Sequence, residues 1–218
     1  ENIVAHDRRL KLLEEPADDE RIGLTFARKF FEHPLLRDAD LFVTHLLLAF
    51  VFFAILLRMT LRAQDTEREE PAAGNPPGSR GLAAFSHAAA GFVLIQAGLG
   101  AWVSSSGAGL ACPDFPTCHG SWLPKLEGPV GIHYTHRLVG YTVFLIVIAL
   151  LLRAARVPLP PRARWPLRMA GVLVSLQVLL GIGNVVLGLP LAVSAGHLAT
   201  ALMLFGTLLV ANHELVRQ

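Results

Sequence analysis

Residues 131–156 read GIHYTHRLVGYTVFLIVIALLLRAAR, and this stretch decides the fold. Between Leu138 and Leu152 it contains no Asp, Glu, Lys, Arg or His, and it ends on Arg153 and Arg156. A helix crossing a bilayer core needs about 20 consecutive, mostly apolar residues, which this stretch supplies. Four other stretches share its character, so spans are expected at 41–61, 82–103, 130–152, 167–188 and 190–211. The composition agrees: 53% of the residues are apolar and 17% charged, against about a quarter charged in soluble domains. The expected fold is all-α and integral to a membrane, with a four-helix transmembrane bundle and one additional transmembrane helix before it.

The charge pattern excludes some functions and orients others. A net charge of +2 with no stripe of Lys and Arg argues against a nucleic-acid partner. The connection at 153–168 holds Arg153, Arg156, Arg162, Arg164 and Arg168 and no acid, whereas the connection at 104–129 has Lys125 as its only Lys or Arg. By the positive-inside bias the first is expected in the cytoplasm, the second outside, and the C-terminus inside. Residues 1–40 then fall outside, although Arg21, Arg28, Lys29 and Arg37 fit that side poorly. Within them, Ile22, Phe26, Phe30 and Leu35 have the spacing of an amphipathic helix, lying at the interface or simply on the protein surface. Residues 63–81, acidic and then rich in Pro and Gly, read as a cytoplasmic linker. The chain opens on Glu1 with no signal pattern, so the start of the gene product is expected to be missing.

The spans repeat. Gln96 precedes Gly100 by four residues, as Gln177 precedes Gly181. THLLLA from Thr44 resembles GHLATA from Gly196, which aligns His45 with His197. The first span therefore reads as the last helix of a preceding bundle, and residues 82–218 as one complete bundle.

Histidines supply the candidate chemistry. At 1.5 Å per residue, His136, His197 and His45 lie roughly 24, 21 and 20 Å above the inner ends of their spans, in the outer part of the membrane. His133 sits one turn above His136. An ionisable side chain inside a bilayer is a functional candidate by default, although a single buried histidine is as readily a packing residue. Two at one depth, on facing helices, suit axial ligation of a haem iron. Arg137 is placed to reach a haem propionate, or else to snorkel to the interface. Cys112 and Cys118 lie six apart in the outer loop, where a disulfide persists. A metal site using His119 is the weaker reading, since zinc needs more ligands than the loop offers. Gly98, Gly100, Gly181 and Gly183 are expected to serve close helix approach. His87 is expected to pack, and His6, His33 and His213 to be solvated.

Taken in order, SGAGLACPDFPTCHG, HYTHRLVG, QVLLG and LPLAVSAGHL resemble the haem A synthase family, over roughly residues 40–215. The resemblance implies eight helices in two pseudo-symmetric halves, each with a histidine on its second and fourth helices. It implies that His136 and His197 hold haem b as an electron-transfer cofactor. His45 would be an iron ligand of the other half, which receives haem O as substrate and yields haem A by oxidising a methyl group to a formyl group. It matches Cys112 and Cys118 to the loop cysteines of the cofactor half. The glutamate of the substrate half, three residues before the histidine of its His-Arg pair, is replaced here by His133, so no catalytic residue is expected in this portion. The expected setting is the cell's inner (plasma) membrane, with lipid, haem O synthase or oxidase assembly proteins as partners and a quinone as a candidate electron acceptor. Two other readings remain open: a b-type cytochrome that carries electrons, and a haem-free assembly scaffold. An absorption spectrum separates the scaffold from the others, and extracted pigments separate the enzyme from the cytochrome.

Overall fold

The computed structural model describes residues 38–67 and 76–217. Five helices account for most of them: α1 (Asp38–Glu67), α2 (Ser79–Ser105), α3 (Gly128–Ala154), α4 (Pro161–Val186) and α5 (Leu191–Val216). Each is long and apolar enough to cross a membrane. Among the described residues there is no strand, only an isolated bridge between Cys118 and Ser121. The expected amphipathic segment, with His6 and His33, lies outside the described residues.

Local chemistry sets the ends. Pro129 stands in the first turn of α3, and α4 starts on Pro161 after Pro160. A missing N–H is harmless there, because the first amides of a helix have no intrahelical partner. α4 therefore begins earlier than its apolar run, carrying Arg162 and Arg164 within the helix. α4 ends where Gly188 takes a left-handed φ of 71°. The amide of Leu189 then returns to the Asn184 carbonyl at 2.7 Å, and Pro190 caps the start of α5. α1 runs on through Glu67, into the stretch read from sequence as linker.

The described residues from Phe42 onward form one compact unit. In it α2, α3, α4 and α5 make a closed ring, each packed on the next and α5 on α2. α3 and α5 therefore face each other across a diagonal. The core is aliphatic and finely graded in size, with Ala89, Ala90 and Val93 of α2 against Val147, Leu150, Val174, Leu204 and Leu208. Alanines on α2 let α5 come close enough for Ser86 Oγ to donate to the Leu208 carbonyl at 2.9 Å. Asn212 Nδ2 likewise donates to the Ala83 carbonyl at 2.7 Å. The outside is apolar too: Phe52, Ile55, Met59, Leu145 and Leu179 are more than half exposed, as a lipid-facing surface requires.

α1 leans on α5. Phe50 is buried with its ring centroid 5.4 Å from that of Phe205, and Gly206 leaves room for Phe53. At the far end Asp65 takes His213 at 2.9 Å and Arg217 at 2.7 Å. His213 is thus engaged between helices rather than solvated. His87, expected to pack, is exposed. Gly98 faces Leu47 and Gly183 faces Val193, as helix-contact glycines do; Gly100 and Gly181 face histidines instead.

Candidate functional site

The site is roofed by the α2–α3 loop. Cys112 and Cys118 form a disulfide with a Cα separation of 4.7 Å, and neither cysteine is exposed. Between them Asp114 organises the turn. Its carboxylate accepts from Thr117 Oγ1 at 2.5 Å, the His119 amide at 2.7 Å and the Gly120 amide at 2.9 Å. The Thr117 hydroxyl and the Gly120 amide hold this carboxyl well below the usual carboxylate range. His119 uses its Nε2 on the Ala111 carbonyl at 2.9 Å. With both cysteines oxidised, a metal site at His119 has no ligand set, and no cluster of His, Cys, Asp and Glu suited to a metal occurs among the described residues.

Arg137 fixes this loop to α3. Nη1 donates to the Asp114 and Thr117 carbonyls at 2.9 Å each, Nη2 to the Cys112 carbonyl at 2.5 Å, and Nε to His133 Nε2 at 3.2 Å. Four of the five guanidinium N–H groups are thereby used, and one remains for an outside acceptor such as a propionate. His133 is buried and doubly engaged. Its Nε2 accepts from Arg137, so its Nδ1–H donates to the Ala108 carbonyl at 2.9 Å. It is a neutral structural link between α3, the loop and Arg137.

One turn below, His136 turns into the bundle from α3, and His197 does so from the diagonal helix α5. Each has the same neighbours. Gln96 Nε2 stands 3.4 Å from His136 Nε2, and Gln177 Nε2 stands 3.3 Å from His197 Nε2. A Cβ on Gly100 would come within 3.1 Å of His136 Cε1, and one on Gly181 within 3.3 Å of His197 Cε1. The Nδ1 atoms of both histidines are buried without a partner, as are the Oε1 atoms of both glutamines. Buried polar atoms are seldom left unsatisfied, so this cluster has unused capacity for a ligand. His45 is exposed on α1. A groove of about 1080 Å³ lies elsewhere, along α3 and α4, lined by Leu151, Leu167, Gly171, Arg164 and Arg168 among others.

The order of these features along the chain is that of a known family. Residues 36–209 match the profile of COX15-CtaA, described as cytochrome oxidase assembly protein. The chain belongs to the COX15-CtaA family. It is 32% identical over 186 residues to Heme A synthase of Nitrosospira multiformis, covering 80% of this chain and 51% of that protein. It is 34% identical over 157 residues to Heme A synthase of Halalkalibacterium halodurans, covering 71% and 51%. Heme A synthase COX15 of Homo sapiens is 30% identical over 148 residues, covering 62% and 36%. The chain thus spans about half the length of the first two relatives.

Within this family member, the glutamines and Gly140 went unassigned in the sequence. The Gln–Gly repeat was visible, but a repeat within one helix does not show what faces it from the next. A Cβ on Gly140 would lie 3.1 Å from Gln96 Nε2, so this glycine makes the space the glutamine uses.

Proposed function

We propose that the chain is the haem b-holding part of a haem A synthase, the membrane oxidoreductase that converts haem O to haem A. His136 and His197 would hold the haem iron. The observation that carries this reading is the matched pair of imidazoles on the diagonal helices, each set against a glycine at Cε1 and a glutamine amide at Nε2. The donor set fits the group: two imidazoles on facing helices are ordinary ligands of a haem iron. Bound there, the haem supplies one-electron transfer. The protein's own part is to orient the two rings, keep the pocket dry and cover it with the disulfide loop. Arg137, with one free N–H, orders that loop and offers a single hydrogen bond to a propionate.

His133 supplies no free base in this half, because both of its nitrogens are used. The carboxylate that steers the oxidation of the substrate methyl group is expected in the other half, to which His45 contributes a ligand. The arginines of the α3–α4 connection favour an outward-facing disulfide loop and a cytoplasmic C-terminus in an inner or plasma membrane. Haem O synthase, oxidase assembly proteins and a quinone acceptor are the matching partners.

The test is optical. Purified chain loaded with iron protoporphyrin IX is expected to show a low-spin bis-imidazole spectrum. His136→Ala and His197→Ala should each abolish it. An unchanged spectrum in either variant would remove that residue as a ligand.

A further inference from the structure

We propose that Gln96 and Gln177 are paired amide caps, each holding the Nε2 of its histidine until an axial metal takes that nitrogen, and that His197 is uncapped before His136. The inference rests on the bis-histidine reading above and adds to it how the empty site is kept ready.

The orientation of the Gln96 amide is fixed by a second contact: Nε2 also donates to the His136 main-chain carbonyl at 2.9 Å. That end of the amide must therefore be NH₂, not oxygen. Facing an N–H, His136 Nε2 must accept, which places the ring proton on Nδ1. This is the tautomer whose Nε2 lone pair an iron requires. The cap thus pre-selects the ligating form of a neutral imidazole and prevents Nε2 from being protonated. Gly100, one turn along from Gln96, stands against Cε1 of the same ring. The ring edge is defined by an amide and by a missing side chain, and α4 and α5 reproduce the arrangement with Gln177, Gly181 and His197.

The caps are weakly held, because both amide contacts are long, at 3.4 Å for Gln96 and 3.3 Å for Gln177. Loading would replace each amide hydrogen bond with an Nε2–iron bond as the iron gives up a solvent ligand, with no change of oxidation state.

The two caps differ in one respect. Four residues after His136 stands Gly140, whose missing side chain makes room for Gln96 to reach the His136 carbonyl. Four residues after His197 stands Ala201, and among the described residues Gln177 makes no main-chain bond of that kind. Gln96 is anchored at two points and Gln177 at one. The Gln177 amide should leave first, so iron should meet His197 before His136.

The experiment uses the full chain, purified in detergent without haem, mixed with iron protoporphyrin IX and followed by stopped-flow absorbance. Gln177→Met should speed the first, one-imidazole phase by roughly fivefold to tenfold, the scale of one neutral hydrogen bond. Gln96→Met should leave that phase unchanged and speed the conversion to the low-spin, two-imidazole spectrum. If both substitutions slow binding, or neither changes a phase, the glutamines are structural and the proposal fails. If the unsubstituted chain shows no bis-imidazole spectrum, the ligand assignment itself fails. Nitrogen NMR of the haem-free chain gives an independent check that does not rely on the variants folding. An Nδ1–H tautomer at His136 is expected, and a protonated Nε2 would overturn the proposal.

Discussion

A guanidinium that donates to the carbonyls of Cys112, Asp114 and Thr117 is a cross-link, and Arg137 acts as one before it acts as a charge. Its fork serves several acceptors in one plane, which an ammonium cannot do. Arg137→Lys should therefore loosen the loop even though the charge is kept. With hydrogen bonds to charged groups worth about 1.5–3 kcal/mol each, and water replacing part of the loss, a net cost of about 2 kcal/mol is expected. The measurement is the rate at which mild reductant opens the buried Cys112–Cys118 bond, which should rise at least roughly tenfold. Asp114 gives the loop its acid response. Its folded carboxyl titrates below its unfolded value, so the stability it adds is fully present above pH about 4. It is lost only as the pH falls through the depressed folded value. Reduction rates, corrected for the reductant's own ionisation, should stay flat from neutral pH to pH about 5 and climb in stronger acid. Asp114→Asn should raise the rate at neutral pH and flatten the profile, because an amide cannot accept all three bonds. A variant profile that overlays the original would show that Asp114 does not hold the turn.

At the scale of helices, glycines separate packing from ligand geometry, and this gives a paired prediction. Gly206 on α5 is a packing position, where a Cβ would meet Phe53 of α1 at 3.0 Å. Gly206→Leu should push α1 away and cost about 1–3 kcal/mol in thermal unfolding, the usual price of overpacking. The haem spectrum should be unchanged, since nine residues, about 13 Å of helix, separate Gly206 from His197. Gly181→Val should do the reverse, moving the His197 ring and altering the low-spin spectrum with a smaller effect on unfolding. Matching responses in the two variants would show that the distinction is unreal. The same contrast marks what could be read in the sequence. The five spans were legible because a bilayer demands long apolar runs, and the disulfide because two cysteines shared one outer loop. The common depth of His136 and His197 followed from counting residues along each helix. Contacts made across helices were not legible. Nothing in the local sequence pairs His213 with Asp65, some 150 residues earlier, turns Arg137 back onto loop carbonyls, or sets Gly100 against an imidazole. Exposure of His87 was hidden for the same reason: the face a residue occupies depends on which neighbours the ring of helices supplies.

For the whole molecule, the placement of the histidines bears on the count of haems. On the proposed reading, the diagonal pair His136 and His197 would hold one haem inside the ring of α2 to α5. His45 stands on α1, which packs outside that ring, and it is exposed. A haem iron meeting His45 alone would lack its other axial ligand and the apolar walls that keep water out. The expected stoichiometry of the 218-residue chain is therefore one haem b, measured as iron and extracted pigment per protein. His45→Ala should leave that stoichiometry and the low-spin spectrum unchanged. The chemistry follows from the same placement. His133, at the position where the family resemblance puts a substrate-side glutamate, has both ring nitrogens engaged and is buried beneath the loop. It is not available to take a proton from a second haem. Chain incubated with haem O, an electron acceptor and oxygen should accordingly release no haem A. Turnover should require a partner half that completes the site at His45, and in that assembly His45→Ala should abolish conversion while the haem b signal of His136 and His197 persists. Recovery of haem A from the chain alone, or loss of the haem b signal on His45→Ala, would mean that the two halves have been assigned the wrong way round.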